Sequence, residues 1–238
     1  MSVIDELLAR TSVRKFEAKP VPDDVKDTVI SCAINAPTAG NQMLYTILEI
    51  DDPAVKKELA RTCDHQSFIA DAPWVLVFLA DCRRWHDAYD LAGCENRAPG
   101  VGDLILACED TMIAAQNAVV AAQALGLGSC YIGDIVENRE EVVELLGLDQ
   151  WVFPISLVIF GYPTAQQLQR PKPARFDRRY IVLQDRYRRL TPEELRQMYA
   201  ARGEDFEPFV QAFCKRKYMS GFSTEMSRSV AGYLEAFR

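Results

Sequence analysis

Hydrophobic positions along this chain alternate between two periods, and the switches between them mark out the elements. Val3, Ile4, Leu7 and Leu8 fall on one stripe of a short helix over 2–9, with Ser2 placed to cap it. After Pro20 and Pro22, Asp23 and Asp24 open a second helix whose buried face carries Val25, Val29, Ile30 and Ala33. It must end before Pro37, because a proline pushes the preceding residue out of the helical region. Residues 44–50 read as a strand and 53–62 as a helix. The run Trp74-Val75-Leu76-Val77-Phe78-Leu79-Ala80 is apolar without interruption, which predicts a central strand covered on both faces. Residues 83–102, with Gly93, Pro99, Gly100 and Gly102, predict a helix followed by a loop, the candidate mobile lid. Residues 103–125 form the longest helical pattern, apolar nearly all round, and predict a buried spine stopped by Gly126 and Gly128. A short strand and turn over 129–134, a helix over 140–146 and a buried strand over 152–161 complete an alternation of helices with apolar strands. That alternation predicts an α/β or α+β body with one sheet covered by helices.

From Tyr162 the composition shifts. Pro163, Pro171 and Pro173 bracket a Gln-rich connector that carries Lys172 and Arg175. Thr191-Pro192-Glu193-Glu194 is a helix start with a hydroxyl cap, and 206–213 and 219–237 predict two further amphipathic helices. The expected organisation is a body over 1–175 and a helical extension over 176–238, packed on the body or on a second subunit. The formal net charge of -7 argues against general nucleic-acid binding. Residues 175–238 nevertheless carry 13 Lys/Arg against 9 Asp/Glu, so the tail is basic and the body acidic. Lys215-Arg216-Lys217 is its densest cluster. Seven cysteines and no C-x-x-C pair predict free thiols in a reducing compartment. His65 and His86 are the only histidines, and no metal site is expected. The N-terminus lacks a signal-peptide pattern and no uninterrupted apolar run matches a bilayer, so a soluble, cytoplasmic protein is expected.

The chemistry concentrates in Arg10-Thr11-Ser12-Val13-Arg14-Lys15-Phe16. Three cations and two hydroxyls in six residues make a compact anion site, since guanidinium forks grip phosphate and hydroxyls donate to it. Alone, the stretch is also compatible with a solvated basic segment leaving a helix. Ala36-Pro37-Thr38-Ala39-Gly40-Asn41-Gln42 combines small residues with a hydroxyl and an amide. It suits a flat ligand approaching the backbone, or a turn chosen for its angles. Lys172 and Arg175 supply a second cationic pair, or belong to a solvated linker.

Taken in order with Pro20-Val21-Pro22, Ala124-Leu125-Gly126-Leu127-Gly128-Ser129-Cys130-Tyr131-Ile132-Gly133 and Phe160-Gly161-Tyr162-Pro163, these stretches resemble the FMN-dependent nitroreductase family. The resemblance covers residues 4–175. It implies an α+β fold, a central, mainly antiparallel sheet wrapped by helices, in a homodimer with two FMN sites at the interface. It also implies NADH or NADPH as electron donor and ping-pong reduction of a nitroaromatic, quinone or similar planar acceptor. Arg10 and Ser12, with Thr11 between them, match the phosphate end, and Arg14 matches a contact to the phosphate or the N1/O2 edge of the ring. Pro37, Thr38, Ala39 and Asn41 match a loop contributed by the second subunit. Tyr131, Ile132 and Gly133, leading to Asp134, match the backbone lining the ring near N5. Lys172 and Arg175 resemble a late basic pair, here three apart where many members have two. Met43-Leu44-Tyr45 stands where many carry Gln-Pro-Trp. Hydride transfer requires no protein acid or base, so no catalytic residue is assigned beyond Arg14 as a stabiliser of N1/O2 charge. Other reactions on the same scaffold are reductive dehalogenation and ene reduction, with 83–102 as a substrate lid. Outside catalysis stand a flavin-binding module without turnover and an interaction protein whose basic tail meets an acidic partner.

Overall fold

The computed structural model describes residues 2–203 and 205–238. Its sheet is built from β1 (Tyr45–Glu49), β2 (Trp74–Asp81), β3 (Gly128–Ile132) and β4 (Val152–Gly161). The order is β1-β2-β4-β3, and every pairing is antiparallel. The helices are α1 (Val3–Ala9), α2 (Asp23–Ile34), α3 (Pro53–Thr62), α4 (Arg83–Leu91), α5 (Val101–Ala124), α6 (Arg139–Leu146), α7 (Ala165–Leu168), α8 (Arg178–Ile181), α9 (Pro192–Ala200), α10 (Phe206–Phe213) and α11 (Gly221–Leu234).

β2 is buried along its whole length, as its unbroken apolar run predicts. Its alternation splits the core in two. Trp74, Leu76 and Phe78 face α2 and α5 through Val29, Ala33, Ala115, Ala118 and Ala122. Val75, Val77 and Leu79 face the other way, into a cluster holding Leu59 of α3, Val142 of α6 and, near the C-terminus, Tyr233 and Phe237. The result is a mixed α+β body with helices on both faces of an antiparallel sheet. The alanines of α5 let it lie close to the sheet.

Two expectations need correction. The apolar stripe of α1 does not turn inward: Val3, Ile4, Leu7 and Leu8 are exposed, while Glu6 is buried. Nor is α5 buried all round, since Val101, Ile105, Leu106, Met112 and Ile113 are exposed. Apolar periodicity reports a face that avoids water without reporting which molecule covers it. α5 also starts two residues early, because Gly100 N–H donates to Asp103 Oδ2 at 2.8 Å and draws the helix back to Val101. By length and composition α5 could cross a bilayer, yet it packs on β2 and α2 as a core helix.

The chain divides into two compact units, Met1–Arg170 with Glu225–Arg238, and Pro171–Thr224. The expected extension over 176–238 is thus divided, because its closing segment is tied into the first unit. Arg228 grips Glu140 through two nitrogens at 3.0 and 2.7 Å, and Trp151 Nε1 donates to the Ala236 carbonyl at 2.7 Å. Within the second unit, Thr191 and Glu194 close the expected capping box on α9. Tyr199 there collects Phe176, Phe206 and Phe209 around its ring. The seven cysteines are all free.

Gly128 opens β3 against the side chain of Val13: a Cβ on Gly128 would lie 2.6 Å from Val13 Cγ2 and 2.7 Å from its Cβ. Gly128→Ala should therefore displace the 10–16 segment. The expected cost is about 1–3 kcal/mol, read as a lower urea midpoint with an unchanged slope.

Candidate functional site

The basic segment leaves α1 at Arg10, whose backbone N–H still bonds the Glu6 carbonyl at 3.0 Å. It then runs extended along the outer edge of β3. Ser12 forms a parallel bridge with Ser129, and Val13 N–H donates to the Ser129 carbonyl at 2.9 Å. Arg14 N–H donates to Gln167 Oε1 at 3.1 Å, and Phe16 bridges Pro163. A Cβ on Gly161 would lie 2.8 Å from the Phe16 ring, so this close approach also needs a glycine.

This seam brings Arg10, Ser12 and Arg14 within electrostatic reach of the Cys130 thiol. Burial pushes the Cys130 thiol up, against the pull of both guanidiniums, the Ser12 hydroxyl and the Arg14 contact. Burial wins, so the thiol stays neutral and leaves the cations uncompensated. Arg10 Nη1 reaches the Thr11 carbonyl at 3.5 Å, and Arg14 lies over the Phe68 ring at 5.6 Å. Among the described residues, neither arginine has a carboxylate partner. Directly along the strand, Tyr131 donates its hydroxyl to Gln116 Oε1 at 3.2 Å, and Ile132 is buried. Gly133 is exposed, with no heavy atom within 4 Å of where a Cβ would stand. The segment carrying Arg10, Ser12 and Arg14 and the open Gly133 turn thus both attach to β3.

The Pro37–Asn41 loop lies elsewhere. It feeds β1, at the opposite edge of the sheet from β3, and three strand spacings separate those edges by about 14 Å. Within one chain the two groups do not meet. The loop is organised by Asp110 of α5, which is 2% exposed. Asp110 accepts from Thr38 Oγ1 at 2.5 Å, Ala39 N at 2.9 Å and Leu44 N at 3.2 Å. Thr38 Oγ1 in turn accepts from Met43 N at 2.8 Å. The single proton of Thr38 is spent inside the loop, so its hydroxyl has only acceptor capacity left. Gly40, Asn41 and Met43 all have φ between 52° and 58°, a left-handed path that costs energy at the two non-glycine positions. Helix α4 clamps the far side, with Trp85 Nε1 donating to the Gln42 carbonyl at 2.8 Å and Arg84 Nη2 to the Tyr45 carbonyl at 3.1 Å. Pro37 and Asn41 remain exposed.

Asp110 was absent from the sequence-derived candidates, although an acid midway along a largely apolar helix was a visible signal. Lys172 and Arg175 belong to the second unit, where Arg175 Nη1 donates to the Pro173 carbonyl at 3.2 Å. Asp110→Ala would strand two backbone N–H groups and the Thr38 hydroxyl. The expected loss is about 3 kcal/mol by urea unfolding, with Asp110→Asn losing less because it keeps one acceptor.

The nitroreductase family model matches residues 7–162, from the end of α1 to just beyond β4. An FMN reductase [NAD(P)H] of Bacillus subtilis is 29% identical over 98% of this chain and 91% of its own length. An oxygen-insensitive NADPH nitroreductase of Salmonella typhimurium is 31% identical over 85% and 84%, respectively. The NADPH:FMN oxidoreductase of Vibrio harveyi, solved in complex with NAD+, superposes with a TM-score of 0.84 over 99% of this chain and 97% of that one, at 24% identity. With the sheet order, the edge-bound cation segment and a match over more than half its length, the chain belongs to the nitroreductase family.

Proposed function

We propose that this protein is a homodimeric FMN-dependent NAD(P)H oxidoreductase that reduces a nitroaromatic, quinone or similar electron-poor planar acceptor by a ping-pong mechanism. One observation carries the reading. Two guanidiniums without carboxylate partners and a hydroxyl are fixed on the edge of β3, beside the open Gly133 turn. That donor set fits a phosphate-bearing flavin, because a dianionic phosphate satisfies unpaired guanidiniums and a flat ring needs backbone without a side chain in the way.

Arg10 and Ser12, with Thr11 between them, hold the phosphate end. Arg14 faces the ring or phosphate and offsets negative charge at the N1/O2 edge, a fixed charge that needs no reorganisation during reaction. The Tyr131–Gly133 backbone lines the ring. When bound, FMN supplies two-electron chemistry, taking hydride from NAD(P)H and passing electrons to the acceptor. The Pro37–Asn41 loop, too far across its own sheet to reach this segment, serves the site of the partner subunit. The exposed apolar residues of α1 and α5 support that assembly, since the two helices are neighbours and their outward faces form apolar surface suited to burial against a second copy. Free thiols and the acidic body fit a soluble, cytoplasmic protein.

The test is the visible spectrum of the purified protein under argon, before and after adding NADH and then NADPH. Flavin absorbance that bleaches with either donor and returns with a quinone or nitroaromatic is expected. Recovery only with halogenated or ene substrates would assign the other chemistries of this scaffold, and a spectrum that neither donor bleaches would leave a binding module. Arg14→Met should slow flavin reduction by about tenfold to a hundredfold; an unchanged rate and unchanged FMN affinity would remove Arg14 from the site.

A further inference from the structure

Helix α4, the loop that follows it and the start of α5 enclose a pocket of about 340 Å³, a size within the range of small-ligand sites. Trp85 and Tyr89, one helical turn apart on α4, form an aromatic wall, with ring centroids 5.6 Å apart and planes tilted by 42°. Leu44, Leu106 and the buried Cys82 add apolar lining. The loop contributes Glu95, Asn96 and Arg97, and the first turn of α5 contributes Asp103. The lining shares no residue with the cation segment, the Pro37–Asn41 loop or the Gly133 turn.

This pocket is preformed. The Trp85 ring is fixed by the bond from its Nε1 to the Gln42 carbonyl at 2.8 Å. The loop is tied at both ends. At the end of α4, Gly93 N–H donates to the Asp90 carbonyl at 3.0 Å and Cys94 N–H to the Tyr89 carbonyl at 2.9 Å, a reversal that Gly93 makes at φ 69°. Asn96 Nδ2 then donates to Asp90 Oδ1 at 2.7 Å, and Arg97 grips Asp103 through both terminal nitrogens at 2.5 and 3.0 Å. The segment expected as a mobile lid is thus fastened to α4 and α5, so a ligand meets walls already in place.

The charges of the lining select the ligand. Asp103 matches the one guanidinium present, that of Arg97. His86, also in the lining, lies against the Trp151 ring at 4.6 Å, with its Nδ1 3.3 Å from the Asp90 carboxylate. Glu95 is left without a cation among the described residues. Burial first, then the negative charges of Asp103 and Asp81, push the Cys82 thiol up to about 12, the sign expected where anions are disfavoured. Indole and phenol faces attract positive charge, so an aromatic wall beside an unmatched carboxylate favours a cation over a neutral or anionic ligand of the same shape.

We propose that this pocket is a second ligand site, for a planar aromatic cation of the N-alkylated heterocycle class, its ring held by Trp85 and Tyr89 and its charge offset by Glu95. The site is independent of the flavin assignment.

The experiment titrates the full chain, in the presence of excess FMN, with N-methylquinolinium, quinoline and quinaldate at neutral pH, read by calorimetry. The cation should bind saturably and about tenfold tighter than quinoline, with quinaldate weakest and the flavin spectrum unchanged. Tyr89→Ala should weaken the cation by about tenfold. Glu95→Lys should abolish the preference for the cation while quinoline binds as before. Tyr89 and Glu95 are both exposed, so neither change should move the urea midpoint. Absence of saturable binding, equal affinity for the three probes, or a preference that survives Glu95→Lys would overturn the proposal. So would a probe that perturbs the flavin spectrum and binds Tyr89→Ala as tightly as wild type, since it would then sit on the flavin.

Discussion

Two glycines let a cation-bearing segment lie flat against the edge of a sheet, and the site depends on that contact. Gly128 and Gly161 leave no room for a Cβ beside Val13 and Phe16, and the Val13 N–H to Ser129 carbonyl bond sets the register between them. Once this register is fixed, the Arg10–Arg14 segment runs beside β3, the strand that leads into the Tyr131–Gly133 turn. The cost of gathering two guanidiniums without a carboxylate is carried by the packing of a fully buried β2 and a largely buried β4 behind them. A site that holds unpaired cations on a rigid edge is prepared for an anion before one arrives.

The sheet order also bears on the proposed sharing of the site between two subunits. β1 and β3 occupy opposite edges, so the loop organised by Asp110 faces away from the segment carried by β3. The outward apolar faces of α1 and α5 belong to the same logic. Both features make sense in an assembly in which each subunit lends its loop to the other.

The sequence made the elements legible where burial is symmetric. Trp74–Ala80 read as a strand covered on both faces because every position is apolar, and the capped start at Thr191 read directly from its chemistry. Legibility failed where an apolar pattern does not turn inward: the stripe of α1 and several apolar positions of α5 carry core-like patterns and are exposed. It failed again for polar groups whose purpose is local. Asp110 stands out in sequence as an acid in a largely apolar helix, but only the fold shows that it holds the Thr38–Leu44 loop. The cations and hydroxyls of residues 10–16 are adjacent in sequence, but their anchoring to β3 follows from long-range pairing that no local pattern encodes.

The central claim is that the segment sewn to β3 is a phosphate site for a flavin, and riboflavin, which lacks only that phosphate, tests it most directly. Calorimetric titration of the apo protein with FMN and with riboflavin, for wild type and Arg10→Ala, separates phosphate from ring. The account predicts that wild type prefers FMN by roughly a hundredfold and that Arg10→Ala loses most of this preference while binding riboflavin as before. Equal affinity of wild type for the two ligands, or an Arg10→Ala protein weakened alike toward both, would contradict it.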